Sequence, residues 1–487
     1  MAYKHGVYGE QVPFSGSIPL PAMGTIPAYI GTAPIHQLNT TGSADFDYTP
    51  YINKPILIQK YKDTETKLGY SSDWANMTLG EVISAHFLGS TAVSPIICIN
   101  MANPKKLASM PTEKEVTLSG AAGDKTGYID DSLAAIENIT LGELTSGDYT
   151  MSYEDEKIKI HITKEEFEDG TITASYKQID VTQATLNGAA FDEALNALDI
   201  CEAVLNKIPN IIAAPSWSHI PDYHTRMIQK ANARLAEKWY TIVVSDIPSD
   251  SSTKTPQLAK EWKAENFYNS KLDKVCWPMV TYAGAKYHLS TLACVDMQTV
   301  DTNNDGVPYV SPSNKAISAD SMILDNGTEI YLSEVVANDL NSVGITTMNI
   351  IRGQIRLWGS HMANYDYETE TNILPEDRQD AGIRVGLYML NYLQYNYLDN
   401  IDRPFAKRDL DAILASVQQW LNSMVNAGQL LYGTITFEES ENSVNDMVSG
   451  DFVFNIKDTT TPNAKSLTFK MEYVTDGLSV LTGGSSS

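Results

Sequence analysis

The chain has few cysteines, and their positions argue against the sites that cysteine usually builds. The 487 residues contain four, Cys98, Cys201, Cys276 and Cys294, each among apolar neighbours and none spaced as C-x-x-C. Structural zinc sites and redox dithiols usually need such closely spaced pairs. We therefore predict four reduced thiols in the core, rather than disulfides or metal ligands.

Long apolar runs are also missing. No stretch of about 20 consecutive apolar residues occurs, which is the length needed to cross a bilayer. Residues 1–20 lack the basic start and apolar run of a secretory signal. We expect no membrane insertion, and synthesis and folding in a cytoplasm.

Basic residues are scarce relative to acidic ones. The chain has 35 Lys and Arg against 60 Asp and Glu, a formal net charge of −25. Such a field repels a nucleic-acid backbone, so no direct nucleic-acid partner is expected. Apolar residues make up 43% and charged residues 20%, as in folded soluble proteins, and the length implies two to four domains.

Motifs for catalysis or cofactor binding are absent or incomplete. Residues 123–126, GDKT, suggest a phosphate-binding loop, but Asp124 stands where that loop needs glycine. Residues 301–306, DTNNDG, match the start of a calcium loop, but its twelfth position is Pro312 instead of a bidentate Glu. We predict solvated turns at both places and no catalytic residue, metal site or cofactor.

The middle of the chain has the pattern of an α/β protein. Residues 194–208 have the spacing of an amphipathic helix, and residues 211–214 and 240–244 are apolar strands separated by a long helix. This alternation predicts parallel strands with crossover helices. Upstream, the sequence TLGE at 78–81 predicts a capping box that opens a helix through residue 87.

A different composition marks residues 103–182. Acidic and Lys residues become dense, and residues 157–163 alternate strictly, with Ile158, Ile160 and Ile162 on one face. A period of two is typical of a half-buried strand. We interpret this stretch as a β-rich insertion that faces solvent and joins the main body at both ends.

The last third predicts a second α+β region. A hairpin at 345–358 turns at Arg352 and Gly353, and helices follow at 381–397 and 409–427, the second ending at Gly428. Candidate strands lie at 431–437, 452–457 and 467–474. In the last, Leu467, Phe469, Met471 and Tyr473 alternate with polar residues.

Both ends of the chain have features of extended arms. Residues 3–12, with Tyr3, Val7, Tyr8 and Val12, have strand-like content without a steady core-facing pattern, and prolines punctuate the chain up to residue 34. This leader is either disordered or ordered only against another molecule. Twenty extended residues span up to about 70 Å, whereas a compact chain of this length has a radius of gyration of about 23 Å. Either arm is long enough to cross a neighbouring molecule.

Residues 340–359, LNSVGITTMNIIRGQIRLWG, resemble the signature of contractile tail sheath proteins of phages and bacteriocins, L-N-x-x-G-I-N with a Gly turn, an Arg and W-G. Residues 6–8, 26–34, 311–315 and 442–457 resemble other parts of the family in the same order. The family commonly continues with Ala-Arg-Thr, whereas this chain has Ser-His-Met at 360–362, so no role is assigned there. The signature residues are Leu340, Asn341, Gly344, Ile345, Arg352, Gly353, Arg356, Trp358 and Gly359.

The resemblance implies a structural subunit of a contractile injection system, not an enzyme. Its implied partners are further copies of itself in a sixfold helical polymer, an inner tail tube protein, and baseplate and tail terminator proteins. Assembly is expected in the bacterial cytoplasm, and the product is a phage tail or virion, or a released contractile particle. Family arms cross to adjacent subunits and complete a small sheet there, which makes both arms candidate strands for exchange between subunits. The alternative is that they form edge strands of their own subunit.

The resulting fold class is α+β and α/β multidomain. We expect an N-terminal arm at 1–24, an α/β core at 25–102 and 183–345, and the β-rich insertion at 103–182. A C-terminal assembly domain follows at 346–464, and a C-terminal arm with a flexible tail at 465–487. Two rival hypotheses stay open at this stage: an enzyme or ligand-binding protein that uses the α/β region, and another tail or capsid component.

Overall fold

The computed structural model describes residues 24–89, 92–236 and 238–482. The expected N-terminal exchange strand, with Tyr3, Val7, Tyr8 and Val12, lies outside these residues. In the described part, no helix has both the length and the apolar character required to cross a bilayer.

Strands are numbered along the chain over the described residues. They are β1 Pro27–Gly31, β2 Pro55–Ile58, β3 Ile96–Asn100, β4 Thr112–Thr117, β5 Ser119–Ala121, β6 Asp124–Ile129, β7 Thr140–Leu141, β8 Tyr149–Glu154, β9 Lys157–Ile162, β10 Thr171–Tyr176, β11 Ile211–Ala213, β12 Ile242–Asp246, β13 Asp273–Cys276, β14 Met279–Tyr282, β15 Ala285–Tyr287, β16 Ser321–Ile323, β17 Glu329–Ile330, β18 Ile345–Ile351, β19 Gln354–Trp358, β20 Leu430–Thr436 and β21 Asn455–Thr460.

The α-helices are numbered in the same way. They are α1 Thr64–Lys67, α2 Leu79–Ile83, α3 Gly188–Asn196, α4 Cys201–Leu205, α5 Pro221–Ala236, α6 Pro256–Glu265, α7 Leu289–Thr302, α8 Glu334–Asn341, α9 Asp380–Tyr397, α10 Lys407–Asn426 and α11 Val444–Ser449.

An eight-stranded sheet in the order β19-β18-β13-β12-β11-β1-β3-β2 forms the centre of the protein. The six inner strands are parallel, and the edge strands β2 and β19 run antiparallel to their neighbours. Helices α2, α6, α7 and α8 contribute to the core on one face, and α3, α4 and α5 to the core on the other. This three-layer arrangement confirms the predicted α/β core with its crossover helices.

The insertion at 103–182 forms two small antiparallel sheets, β4-β10-β7 and β5-β6-β9-β8, around a hydrophobic core of its own. Ile158, Ile160 and Ile162 are buried in it, as the alternation predicts. A bridge between Leu107 and Ile179 brings the two ends of the insertion together. A further sheet, β15-β14-β16-β17, lies between β13 and α8 in the sequence.

Helices α9 and α10 pack with the two-stranded antiparallel sheet β20-β21 at the C-terminal end of the described chain. The predicted stop of α10 is confirmed, because Gly428 follows the helix with φ +74. All four cysteines are buried, as predicted. Burial raises the pKa of the Cys201 thiol to about 12 and that of Cys294 to about 12.

Two local predictions are wrong. Thr78 does not cap α2, because its hydroxyl accepts a hydrogen bond from the Thr32 N–H instead (3.1 Å), and a π-helical turn replaces the expected α-helix after Ile83. The expected helix at 194–208 is divided by a 3-10 turn after α3, and it ends at Asn206 in the left-handed region. Residues 467–474 form no strand with the described part of their own chain, so the alternative of an intramolecular edge strand is not observed, and the exchange with another molecule stays a prediction.

Candidate assembly surfaces

The signature hairpin is positioned by its turn. Strands β18 and β19 pair antiparallel up to Ile351 and Gln354, which leaves a two-residue loop. Arg352 and Gly353 in that loop have φ of +53 and +77. A two-residue turn with positive φ at both residues has a backbone twist that matches the twist of the flanking strands. The predicted turn is therefore confirmed.

Asn341 holds the ends of this hairpin together. Its side-chain N–H groups donate to the Ile345 carbonyl and to the Trp358 carbonyl, both at 2.9 Å. Leu340 beside it is buried in the central core, and so is Ile345. The Leu-Asn pair of the signature therefore joins the end of α8 to both strands of the hairpin.

Two glycines of the signature are required by close backbone approach. Gly344 has φ +71, and a Cβ there would lie 2.5 Å from the Met362 carbonyl oxygen. Gly359 has φ +144, and its Cβ would meet the Thr346 Cα at 3.0 Å. Any L side chain is strained in such backbone, so glycine is needed for both conformation and space.

The polar side chains of β19 face the preceding loop and α8. The Arg356 guanidinium donates to the Asn314 carbonyl at 3.0 Å, and the Asn314 N–H donates to the Leu357 carbonyl at 2.7 Å. The indole N–H of Trp358 donates to Asn338 at 2.8 Å. These contacts are all internal, so the signature contributes to the framework of the fold.

Two buried ion pairs connect α9 to the central sheet and to α7. Lys274 in β13 contacts Asp380 at 2.7 Å, and both side chains are fully buried. Arg384 in α9 pairs with Asp301 at the end of α7, which also accepts from the Thr25 hydroxyl at 2.5 Å. Burial alone would raise the pKa of Asp380, but Lys274 lowers it below its ordinary value. The sequence analysis did not predict these pairs. The one sequence feature that points to them is a lysine, Lys274, inside a buried strand.

The sequences that suggested ligand loops are turns only in part, and each has a buried residue where a solvated turn was predicted, Asp301 in one and Lys125 in the other. Asp301, the first residue of the calcium-like sequence, is buried in its ion pair, and Asp305 and Gly306 turn the chain with positive φ. In the phosphate-loop-like sequence, Gly123 lies in the β5–β6 turn and residues 124–126 belong to β6, where Lys125 donates to two backbone carbonyls. Within residues 24–89, 92–236 and 238–482, no group of three or more His, Cys, Asp or Glu is arranged to hold a metal ion.

The carboxyl ends of the parallel strands, where α/β enzymes commonly bind ligands, are occupied by paired polar side chains. Asp246 at the end of β12 accepts from the Ser290 N–H at 3.0 Å and from the Ser218 hydroxyl at 3.2 Å. Glu81 accepts from both the backbone and the imidazole N–H of His288, at 2.8 and 2.7 Å. Burial lowers the pKa of His288, but Glu81 and Asp246 outweigh burial and raise it to about 9. The arrangement satisfies both carboxylates within the protein.

The β20-β21 sheet has one edge on a groove. This groove has a volume of about 790 Å³ and is lined by residues 456–460 of β21, by Leu431 of β20, and by Glu376, Arg378, Gln379 and Gly382. A two-stranded sheet is only marginally stable by itself, and its edge strands have unpaired backbone groups that another strand can bind. The groove therefore offers a surface for strand addition.

The chain is anchored to the body just after β21. Asn463 exchanges two backbone hydrogen bonds with the Gln379 side chain, at 2.7 and 2.8 Å, and donates to the Tyr309 carbonyl at 3.1 Å. Lys465 donates to the Tyr365 hydroxyl at 2.9 Å. Beyond Lys465, no hydrogen bond to the body is found for residues 466–474 of the described chain. The hydrogen bonds between this segment and the body thus end at Lys465, although Ser466 and Leu467 still line a pocket with Trp358 and Tyr367.

The segment that follows exposes its apolar side chains. Leu467 is 76% exposed, Phe469 91%, Met471 98% and Tyr473 79%. Contiguous exposed apolar side chains usually mark an interaction site. The structure brings these four predicted contact residues together on one unpartnered segment.

Comparison with known proteins gives a consistent result. The chain is 24% identical, over 99% of its length and 99% of the relative's, to the tail sheath protein of Burkholderia phage BcepMu. Its fold matches a chain of the cryo-EM structure of the anti-feeding prophage baseplate, sixfold symmetrised, with a TM-score of 0.57, 10% identity and coverage of 96% of this chain and 100% of that one.

A second structural match is the PVC sheath complex of an extracellular contractile injection system in its contracted state. It has a TM-score of 0.56 and 10% identity, and covers 98% of this chain and 99% of that one. No family model matches the chain. The recognition made from the signature is confirmed by the curated relative, and the mixed fold class by the structural matches.

Proposed function

We propose that this chain, a member of the tail sheath protein family, is the subunit of a contractile sheath. Subunits polymerise as stacked sixfold rings around an inner tube, and contraction drives the tube through a target cell envelope. The baseplate match is described as sixfold symmetrised, which supports the sixfold rings proposed for this chain. The sheath match is described as contracted, which supports the proposed contraction. The further partners are the inner tube, baseplate and tail terminator proteins, and the particle assembles in the bacterial cytoplasm.

The proposal rests on the exposure of the C-terminal segment 467–474. Its side chains alternate as in a strand, its apolar residues are exposed, and it has no backbone partner in the described chain. Strand addition to a neighbour would pair its backbone and cover its apolar face. The N-terminal residues 3–12 are proposed to act in the same way.

The domain organisation is proposed in a slightly revised form. Strand β18 starts at Ile345 and pairs with β13 of the central sheet, so a boundary between 345 and 346 would divide that strand. We place the end of the α/β core after β19, and the C-terminal assembly domain from 360 to 464. The arms and the insertion keep their expected boundaries.

Contraction is proposed to use energy stored during assembly. Polymerisation traps subunits in a metastable packing, and triggering lets each ring slide and rotate into a lower-energy set of contacts. The buried pairs Lys274–Asp380 and Arg384–Asp301 support a subunit body that moves as one unit, because separating either pair would leave a charge buried without its partner. The arms act as hinges. The proposed role includes no catalysis, cofactor or metal.

Truncation of the C-terminal arm tests the proposal. A chain that ends at Lys465 keeps both anchors, so we expect a folded monomer with an unchanged circular dichroism spectrum that forms no sheath tubes in negative-stain micrographs. A chain that ends at residue 482 removes only the Gly-Ser tail and serves as the control, which must still form tubes. Tubes of normal length and contraction from the shorter chain would contradict the arm mechanism.

A further inference from the structure

The short helix α11 has an exposed apolar face. Val444, Met447 and Val448 stand at positions i, i+3 and i+4 of this helix, and they are 72%, 37% and 82% exposed. All three lie outside the four hydrophobic cores of the described chain. This spacing is typical of an amphipathic helix that lays its apolar face into a groove of a partner.

The helix is fixed on its own subunit in this exposed position. It begins with a capping box and ends at Gly450, which has φ +89. Asn442, just before the helix, is buried, and its side chain donates to the carbonyls of Glu438 and Val453 at 2.9 and 3.0 Å and accepts from the Val453 N–H at 2.7 Å. A segment that is already ordered loses little conformational entropy when it binds. Because α11 is held with its apolar face outward, a groove that receives it belongs to another molecule.

The chain around α11 is also strongly acidic. Residues 438–451 contain five carboxylates and no Lys or Arg, which gives the segment a formal charge of −5. A surface that binds this segment must therefore combine apolar side chains with positive charge.

A groove with these properties lies beside the signature hairpin. It has a volume of about 670 Å³, and its lining includes the aromatic side chains of Trp358, Tyr365 and Tyr367 together with Lys315 and Lys465. Among the described residues that line it, none is Asp or Glu, although the whole chain has 60 acidic residues against 35 basic ones. Aromatic residues are enriched in protein interfaces. We call this surface the Trp358 groove.

The positive charge of the Trp358 groove is only weakly neutralised. Lys315 is exposed and forms no ion pair with a carboxylate of the described chain. Lys465 is 3.6 Å from Glu370, and both side chains are partly exposed, so this pair is weak. Arg356, next to the groove, donates only to the neutral acceptors of Asn314 and Gln354. The groove can therefore attract further carboxylates.

We propose that α11 of one copy of this chain docks into the Trp358 groove of a second copy, with its apolar face against the aromatic side chains and its acidic flanks towards Lys315 and Lys465. This rests on the proposed polymerisation and adds a contact between subunit bodies that is separate from the arms. Two different surfaces meet, so the contact is heterologous, and heterologous contacts repeated from copy to copy build rings or open helices.

Photo-cross-linking in polymers of the purified chain tests this contact. With p-benzoylphenylalanine in place of Tyr367, which is 61% exposed, the reactive group lies in the groove. We expect a cross-linked dimer on denaturing gels, and mass spectrometry should identify the captured peptide within residues 438–451. The same group in place of Tyr331, which is exposed but does not line the groove, is the control and should not capture that peptide.

Charge reversal tests the electrostatic part. Lys315→Glu should slow polymerisation on the order of tenfold at low salt, because charge that steers association changes its rate by at least this factor. Lys62→Glu makes the same change of charge at an exposed lysine outside the groove and should slow it much less. Adding Glu439→Lys to Lys315→Glu should restore the rate, since the two charges are then exchanged.

The outcomes separate this contact from the proposed function. Contractile tubes in which position 367 captures a different segment, or only its own chain, would overturn the α11 contact and retain the sheath. Equal polymerisation rates for Lys315→Glu and Lys62→Glu would overturn it as well. An unmodified chain that forms no polymer, even with the inner tube protein present, would overturn the proposed function and this contact with it.

Discussion

Among single residues, the signature glycines Gly344 and Gly359 have stringent conformational requirements. Gly359 combines a φ of +144 with a 3.0 Å approach of its would-be Cβ to the Thr346 Cα. We expect Gly359→Ala to lower the free energy of unfolding by about 2 kcal/mol or more, since it adds backbone strain and a steric conflict. Urea denaturation of the monomer measures this.

Gly386 is a suitable control for that substitution. It lies within α9, and a Cβ there would meet no atom within 4 Å. Alanine in a helix is favoured over glycine by about 0.5–1 kcal/mol, so Gly386→Ala should be neutral or stabilising. Equal losses from both substitutions would show that the Gly359 backbone imposes no special demand.

His288 should make stability depend on pH. Its pKa is raised from 6.5 to about 9 in the folded protein by Glu81 and Asp246, against the effect of burial. A raised pKa means that the folded state holds the proton more tightly, so the stabilisation is complete below pH 6.5 and is lost as pH rises through 9. We expect wild type to lose on the order of 2 kcal/mol across this range.

Glu81→Gln isolates that contribution, because it removes the main charge that holds the His288 proton. The difference in unfolding free energy between wild type and Glu81→Gln should shrink from pH 6.5 to 9.5 in denaturation curves. A difference that is constant over this range would show that the Glu81–His288 pair is not the source.

At the scale of elements, the insertion 103–182 has the character of a separable module. Its core is formed by its own residues, and its ends meet through the hydrogen bond from the Ala108 N–H to the Gln178 carbonyl at 2.8 Å. We expect replacement of residues 109–177 by a short Gly-Ser linker to leave a cooperatively folding protein. Its melting temperature should fall by a few degrees, because Tyr48 and Ser72 lose their partners Glu137 and Glu156.

Differential scanning calorimetry and negative-stain microscopy together check this deletion. A single unfolding transition and normal tubes are the expected results. A molten chain without cooperative unfolding would mean that the insertion is an integral part of the core.

Local patterns predicted those elements whose determinants are near in sequence. The alternation in β9 and the turn residues Arg352 and Gly353 were sufficient to place a strand and a hairpin. Thr78 has a capping sequence, but its hydroxyl binds Thr32, a partner 46 residues away that the local pattern cannot indicate. The strand predicted at 467–474 has the side-chain pattern of a strand, yet a strand also needs a partner, and the described part of its own chain supplies none.

The candidate site was predictable to a similar extent. The alternating side chains of residues 467–474 predicted a strand pattern, and the resemblance to sheath proteins made the segment a candidate for exchange, which stays a prediction. The anchor at Asn463 and the hydrogen bonds from Gln418 to β20 could not be predicted, since each depends on contacts between segments distant in the chain. Ordinary polar residues such as these have no sequence signal of their own.

For the whole molecule, net charge should control the rate of assembly. Copies of a chain with a charge of −25 repel each other, and salt shortens the range of that repulsion from about 10 Å at 0.1 M to about 3 Å at 1 M. We expect polymerisation, followed by light scattering, to become faster as sodium chloride is raised over this interval. Slower assembly at high salt would indicate that attractive ion pairs between subunits dominate.

In the proposed polymer, the anchor at Lys465 also sets a tether length between subunits joined by the arm. Nine residues, 466–474, follow the anchor to the end of the exposed segment, and fully extended they span about 30 Å. Two bodies joined by this arm cannot draw their attachment points further apart than that without unthreading a strand. Any large shortening or widening of a tube built from them must therefore be achieved by turning the bodies about nearly inextensible links.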